Sequence, residues 1–191
     1  MTNIALALAK APDIVDRVEI LWLGSNYPDP GEYNLDNDVP ALNYILDTEV
    51  PFGMAVVRYF NETGTSAVRV TLSDIEKNVV GRGPVSAVPV VGRNGGEFST
   101  FGDYSLDLLK NVRLSGNPPS RALYDMAAIA LIKNAAWSRP RTIPAPSYVE
   151  GGWKERPTNS RTITLWEHFD SESILQDFYN TLQDYKLAEV V

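Results

Sequence analysis

The chain has 191 residues, 44% of them hydrophobic, enough for one sizeable core and a single expected domain over 1–191. A net charge of −7 and a pI of about 4.7 exclude a general nucleic-acid binder, because phosphate binding needs clustered Lys and Arg, and they fit a handler of small neutral or cationic ligands. Cysteine is absent, which excludes disulfides, thiolate metal sites and cysteine nucleophiles while leaving the redox compartment open.

Taken in chain order, residues 3–10 (NIALALAK) predict a short apolar helix, and Pro12 marks a break or a fresh first turn. The run VEILWLG (18–24) has the continuous apolar character of a central strand buried on both faces and ends in Gly. A loop rich in Gly and Pro comes next, GSNYPDPGEYN (24–34). Residues 39–50 then predict a helix, with Asp38 as N-cap and Pro40 in the first turn. FGMAVVRY (52–59) predicts a second buried strand. Helix, strand, loop, helix, strand is the signature of an α/β fold with an open, mostly parallel sheet flanked by helices.

Downstream, AVRVTL (67–72) predicts a strand followed by a short helix, and residues 81–102, rich in Gly and Pro, predict a loop or flap. Helical spacing returns at 103–112 and 121–137. RTITLWEHFD (161–170) alternates as a strand does, and residues 171–185 form an amphipathic helix pattern. No apolar run approaches ~20 residues, so no membrane span is expected. The N-terminus has neither the basic start nor the cleavage site of a signal peptide, and a cytoplasmic location is expected.

Ligands of open α/β sheets bind at the carboxyl ends of the strands, where the 24–34 loop would sit. Its Gly24, Pro28, Pro30 and Gly31 already supply the turn geometry, so Asn26, Glu32 and Asn34 are surplus to the turn. Amide and carboxylate groups together suit a polyhydroxyl compound such as a sugar; the same residues also serve as ordinary turn and cap residues. Elsewhere, Asn61-Glu62-Thr63 matches a glycosylation acceptor triplet, which is common by chance, and the Asn94-Gly95-Gly96 turn lacks the Lys-Ser/Thr of a phosphate loop. Trp137, Trp153 and Trp166 read chiefly as packing residues and secondarily as stacking surfaces for a base. Residues 144–157 are the place for a lid carrying Tyr148 and Trp153. His168, the only histidine, reads as a structural or surface residue.

The segments TNIALALAKAPDIVDRVEILWLG, GSNYPDPGEYNLDNDVPALNYIL and ALYDMAAIA, in that order, resemble the inosine-uridine-preferring nucleoside hydrolase family. The resemblance covers most of 2–50 and 121–136. It implies that Asn26, Glu32 and Asn34 hydrogen-bond the ribose hydroxyls and 5′ end of a nucleoside. It also implies that Thr2, through its carbonyl, and Asp125, through its carboxylate, are ligands to Ca²⁺, a hard ion that prefers oxygen. For Asp125 the plain alternative is an acid complementing a helix dipole. Tyr124 stands where the family has a His that helps the departing base take a proton; a phenol can donate a hydrogen bond or stack, but is a poorer acid at neutral pH.

The family's opening D-x-D-x-x-x-D-D cluster, the source of most calcium ligands and of the base that activates water, has no counterpart in this chain. The sequence therefore resembles the C-terminal part of such a protein, with a sheet expected to be incomplete on its N-terminal side and open to a complementary N-terminal segment or a second copy. The implied activity is hydrolysis of the N-glycosidic bond of a ribonucleoside; the alternatives are an inactive nucleoside- or ribosyl-binding module and a subunit-contact domain.

Overall fold

The computed structural model describes residues 1–185. Helix α1 (Thr2–Lys10) and a 3-10 segment (Pro12–Arg17) lead into strand β1 (Ile20–Leu23), short helix α2 (Tyr33–Asn37), helix α3 (Val39–Leu46) and strand β2 (Phe52–Ala55). A short 3-10 turn (Thr65–Ala67) is followed by β3 (Arg69–Thr71), α4 (Leu72–Asn78), β4 (Val85–Val91), β5 (Glu97–Thr100), α5 (Phe101–Lys110) and β6 (Ser120–Ala122). Then come α6 (Tyr124–Lys133), β7 (Arg139–Pro144), β8 (Ser147–Val149), β9 (Gly152–Lys154), β10 (Thr162–Glu167) and α7 (Ser171–Gln183). By contact, the chain divides into two compact units, one made of Met1–Ala67 with Tyr124–Asp170, the other of Val68–Leu123 with the segment from Ser171 onward.

The first unit holds a four-stranded sheet in the order β1-β2-β10-β7. Strands β1, β2 and β10 are parallel and β7 runs antiparallel to β10. The register aligns Trp22 with Met54 and Met54 with Leu165, so these three share one face. That face packs with α1 and α3 into the main core, which includes Leu8, Leu42, Ile45, Leu46 and Ile163. Leu21 and Leu23 point the other way, towards Ala128 of α6. Helices therefore cover both faces, which is why all four residues of β2 are buried. Helix α3 starts where expected: the Asp38 carboxylate accepts the Ala41 N–H at 3.0 Å. That cap is worth about 1 kcal/mol. Leu42, Ile45 and Leu46 are each fully buried, at roughly 1.5–3 kcal/mol apiece, so packing rather than capping holds α3.

Three expectations change. Strand β1 is an outer strand of its sheet rather than a central one, and three of its four positions are only half-buried. Residues 81–102 are an antiparallel β4–β5 hairpin with a register shift, not a loop. Residues 144–157 contain the β8–β9 hairpin, whose Tyr148 is 5% exposed and whose Trp153 packs edge-on against it at 5.1 Å. Both rings are taken by packing, so this segment is no open lid with free base contacts.

The second unit pairs β3 with β6 and packs Val70, Ile75, Val79, Leu109 and Leu182 into a separate core. Thr71 and Asp74 close a reciprocal capping box at the start of α4, which fixes the strand-to-helix turn after β3. Among the described residues, no helix is long and apolar enough to cross a membrane.

Gly102, the second residue of α5, lies against the end of α4, and a Cβ there would lie 1.8 Å from the Val79 carbonyl oxygen. The Gly102→Ala variant is expected to lose about 1–3 kcal/mol of stability through forced backbone displacement. Urea unfolding measures this, and an unchanged midpoint would mean that the contact relaxes freely.

Candidate functional site

Because β1, β2 and β10 are parallel, their carboxyl ends lie at one end of the sheet. Backbone strain gathers there. Among the described residues, five non-glycine positions have left-handed φ, and four of them fall in the loops leaving these strands: Ser25 (72°), Arg58 (44°), Phe60 (60°) and His168 (55°). Each such residue costs on the order of 1–3 kcal/mol, and such strain concentrates where a structure is built for binding or catalysis. The strand-end rule for α/β sheets points to the same place.

The loop after β1 is organised by one carboxylate. Glu32 is 5% exposed. Its Oε2 accepts the main-chain N–H of Ser25 (2.9 Å), Asn34 (2.9 Å) and Leu35 (3.2 Å), pinning the loop's start to α2. Among the described residues, its Oε1 receives only the Tyr59 hydroxyl, at 3.3 Å. The Asn26 amide donates to the Gly31 carbonyl (2.7 Å) and its oxygen accepts the Tyr59 N–H (3.2 Å). The Asn34 amide donates to the Leu23 carbonyl (3.1 Å), and its side-chain oxygen has no partner among the described residues. The structure thus brings Asn26, Glu32 and Asn34 together and uses all three to fasten the turn. The capacity left over is acceptor-rich: Glu32 Oε1, the Asn34 oxygen and one N–H of its amide.

Behind this loop, Arg58 spans all three strand ends. It donates from Nε to the Tyr27 carbonyl (2.7 Å), from one terminal nitrogen to Thr63 Oγ1 (2.8 Å), and from the other to Glu167 Oε1. Glu167, at the end of β10, is 6% exposed and also takes two hydrogen bonds from Arg141, at 2.8 and 3.1 Å. The hydrogen bonds from Arg141, followed by the Arg58 guanidinium, hold its carboxyl below the usual range despite burial. Tyr27 is buried nearby, donating to Glu155 at 2.6 Å. Its phenol is pushed up to about 12, by burial first and then by that carboxylate.

The remaining sequence candidates are spread out. Tyr124 is the first residue of α6 and meets Tyr59 edge-on, ring centroids 6.0 Å apart. Tyr59 was missed by sequence reading, although its position just past the buried run of β2 was the available signal. Asp125 is exposed beside Leu21, Leu23, Ile129 and Ile132 in a shallow groove of about 170 Å³. The Thr2 hydroxyl donates to the Asp38 carboxylate. Among the described residues, no three His, Cys, Asp or Glu side chains converge in a group able to hold a metal ion. His168 is exposed and lines a cavity of about 640 Å³ with Glu62, Trp137 and Arg139.

No protein-family model matches the chain, and no curated protein does. Solved structures do. A plant nucleoside hydrolase aligns with 96% of this chain at a TM-score of 0.68 and 16% identity, the chain covering 59% of it. An inosine-uridine-preferring nucleoside hydrolase from Bacillus anthracis aligns with 94% at 0.60 and 15% identity, with 56% of its length covered. An inosine-guanosine nucleoside hydrolase aligns with 95% at 0.58 and 15% identity, with 60% covered. The chain therefore has the nucleoside-hydrolase-like α/β fold and spans under two thirds of the length of these structures.

The Glu167 cluster makes stability depend on pH. Since the folded-state pKa is depressed, its contribution is fully present above the unfolded carboxylate value of ~4.3 and is lost as pH falls through the lower folded value. Thermal melts from pH 6 down to ~3 are expected to fall more shallowly for Glu167→Gln than for wild type. Parallel slopes would remove Glu167 from the acid response.

Proposed function

We propose that this chain binds the sugar of a ribonucleoside at the carboxyl end of its sheet, as part of a protein that hydrolyses the N-glycosidic bond. The observation that carries the reading is the spare acceptor capacity of the 24–34 loop, the Asn34 oxygen without a partner among the described residues and Glu32 Oε1 with one long hydrogen bond from Tyr59, held rigid by the hydrogen bonds that fasten the turn. An ionised carboxylate only accepts, so the fitting ligand is one that presents hydroxyl donors. The likeness to three nucleoside hydrolase structures supports a nucleoside over a free sugar. Asn26, already committed on both sides of its amide, would position the loop more than touch the ligand.

In this reading Tyr124, beside Tyr59, would face the departing base and donate a hydrogen bond as the glycosidic bond lengthens towards an oxocarbenium-like state. The residues present fit calcium poorly. Ca²⁺ takes six to eight oxygens, whereas Asp125 offers one carboxylate and Thr2 at most a carbonyl. We therefore propose that the activating carboxylates come from residues this chain does not gather, in a complementary segment or a second copy. The open outer edge of β1, flanked by exposed Ile129 and Ile132, is where such a partner would dock. The lack of a converging acid cluster among the described residues favours one other reading, a ribosyl-binding module without turnover.

Calorimetry with ribose and inosine, with free ribose assayed in the same samples, tests this. Glu32→Gln is expected to weaken ribose binding about 10- to 100-fold, the range for a hydrogen bond to a charged group, while circular dichroism stays unchanged. Full-affinity binding by that variant would sink the sugar-loop reading; binding without ribose release would favour the module.

A further inference from the structure

The two oxygens of Glu32 are used differently. Oε2 is locked by three main-chain donors: the Asn34 and Leu35 N–H groups, which cannot leave without unwinding the start of α2, and the Ser25 N–H of the loop after β1. Oε1 has one partner, the Tyr59 hydroxyl, at 3.3 Å the longest contact this carboxylate makes. We infer that Tyr59 is a gate: its phenol stands in for a ligand hydroxyl on Glu32 Oε1 and yields that place when a polyhydroxyl ligand enters. This rests on the sugar-binding reading of the same loop.

The surroundings of Tyr59 suit it to move. It sits between Arg58 and Phe60, both non-glycine residues in left-handed conformation, so the backbone on either side is strained. The main chain of the segment is nonetheless anchored: the Tyr59 N–H donates to the Asn26 side-chain oxygen (3.2 Å). Arg58 is held through its guanidinium, and its carbonyl accepts the Asn61 N–H (3.0 Å) and the Ser66 hydroxyl (2.5 Å). Asn61 is held by its own side chain, which accepts the Thr63 N–H (2.9 Å) and hydroxyl (2.8 Å). Tyr59 is 41% exposed and Phe60 82% exposed; the Tyr59 ring meets Tyr124 edge-on, so a swing of the ring gives up that one aromatic contact and the hydrogen bonds of its hydroxyl while the main chain stays in place.

The exchange is chemically like for like. A phenol O–H donating to a carboxylate is replaced by a sugar O–H donating to the same oxygen, and no charge moves. Burial raises the phenol's pKa, with Glu32 adding to the rise and the Tyr33 main chain opposing it, so the proton stays on Tyr59 at neutral pH. A ligand group that lacks a donor cannot displace it. The gate therefore selects for hydroxyls and keeps the buried carboxylate satisfied when the site is empty.

Ribose calorimetry on wild type and Tyr59→Phe tests the gate. Removing the competing hydroxyl while keeping the ring is expected to tighten ribose binding about five-fold, whereas a residue that only supports the fold would weaken it. In parallel, the Tyr59 ring resonances, assigned by their loss in Tyr59→Phe, are expected to shift on ribose addition to wild type and to stay put in Glu32→Gln. Equal or weaker binding by Tyr59→Phe, with wild type binding, overturns the gate and leaves the sugar reading standing. Ribose binding by neither protein overturns both. If the variant melts early, the ring resonances decide alone, and static signals at saturating ribose overturn the gate.

Discussion

The guanidinium of Arg58 is the contact on which the site end of the first unit depends. Three parallel strands deliver three loops to one end of the sheet, but parallel pairing fixes only the strands and leaves the loops beyond them free. Arg58 reaches the carbonyl of Tyr27 in the first loop, the hydroxyl of Thr63 in the second and the carboxylate of Glu167 at the end of the third strand. Its rigid, five-donor fork is what makes one side chain sufficient, and a lysine could not serve all three. Glu167 is tolerated in a buried position because Arg58 and Arg141 fill its oxygens; removing either cation would leave a desolvated charge partly unpaired.

Glu32 shows the same economy with opposite sign. A carboxylate at the head of a short helix usually ends its role by capping it. Here Oε2 alone does the capping, which leaves Oε1 turned to a tyrosine. Rigidity and a spare acceptor then live on one side chain, and the strain at Ser25, Arg58 and Phe60 is borne around it.

Much of the architecture was legible in the sequence, and the failures have physical causes. Strand β2 and the capped start of α3 come directly from an apolar run and from Asp38 with Pro40, local signals that tertiary structure had no reason to override. The outer position of β1 was hidden because Ile20–Leu23 is as apolar as a central strand, and composition alone does not report which neighbours a strand has. The β4–β5 hairpin was read as loop because its Gly and Pro residues outweighed its valines; those valines are exposed, so no burial pattern marked them. Asn26, Glu32 and Asn34 were singled out as polar residues surplus to the turn, and the structure gathers all three in fastening it. Tyr59 escaped because its place just past the buried run of β2 does not say which loop it meets; its contacts with Asn26 and Glu32 depend on a loop folding back across the strand end. Tyr148 and Trp153 were aromatic residues in a Gly-rich stretch, and only the packing of Trp153 against Tyr27 and of Tyr148 against Trp153 shows that these rings are taken.

The division of the chain into two units, each built from two separate segments, bears on how it is made. Gly53 of β2 finds its partner Thr164 of β10 only after the whole of Val68–Leu123 has been synthesised. During translation the first half of the sheet must wait with β2 unpaired on one side, while the inserted segment already holds most of the residues of its own core. The loop closure joining β2 to β10 is then the late, slow step, since its entropy is spent before the pairing returns any energy. The most buried strand of the fold thus waits for β10 with one edge unpaired, and an unpaired strand edge is the kind of surface that invites aggregation.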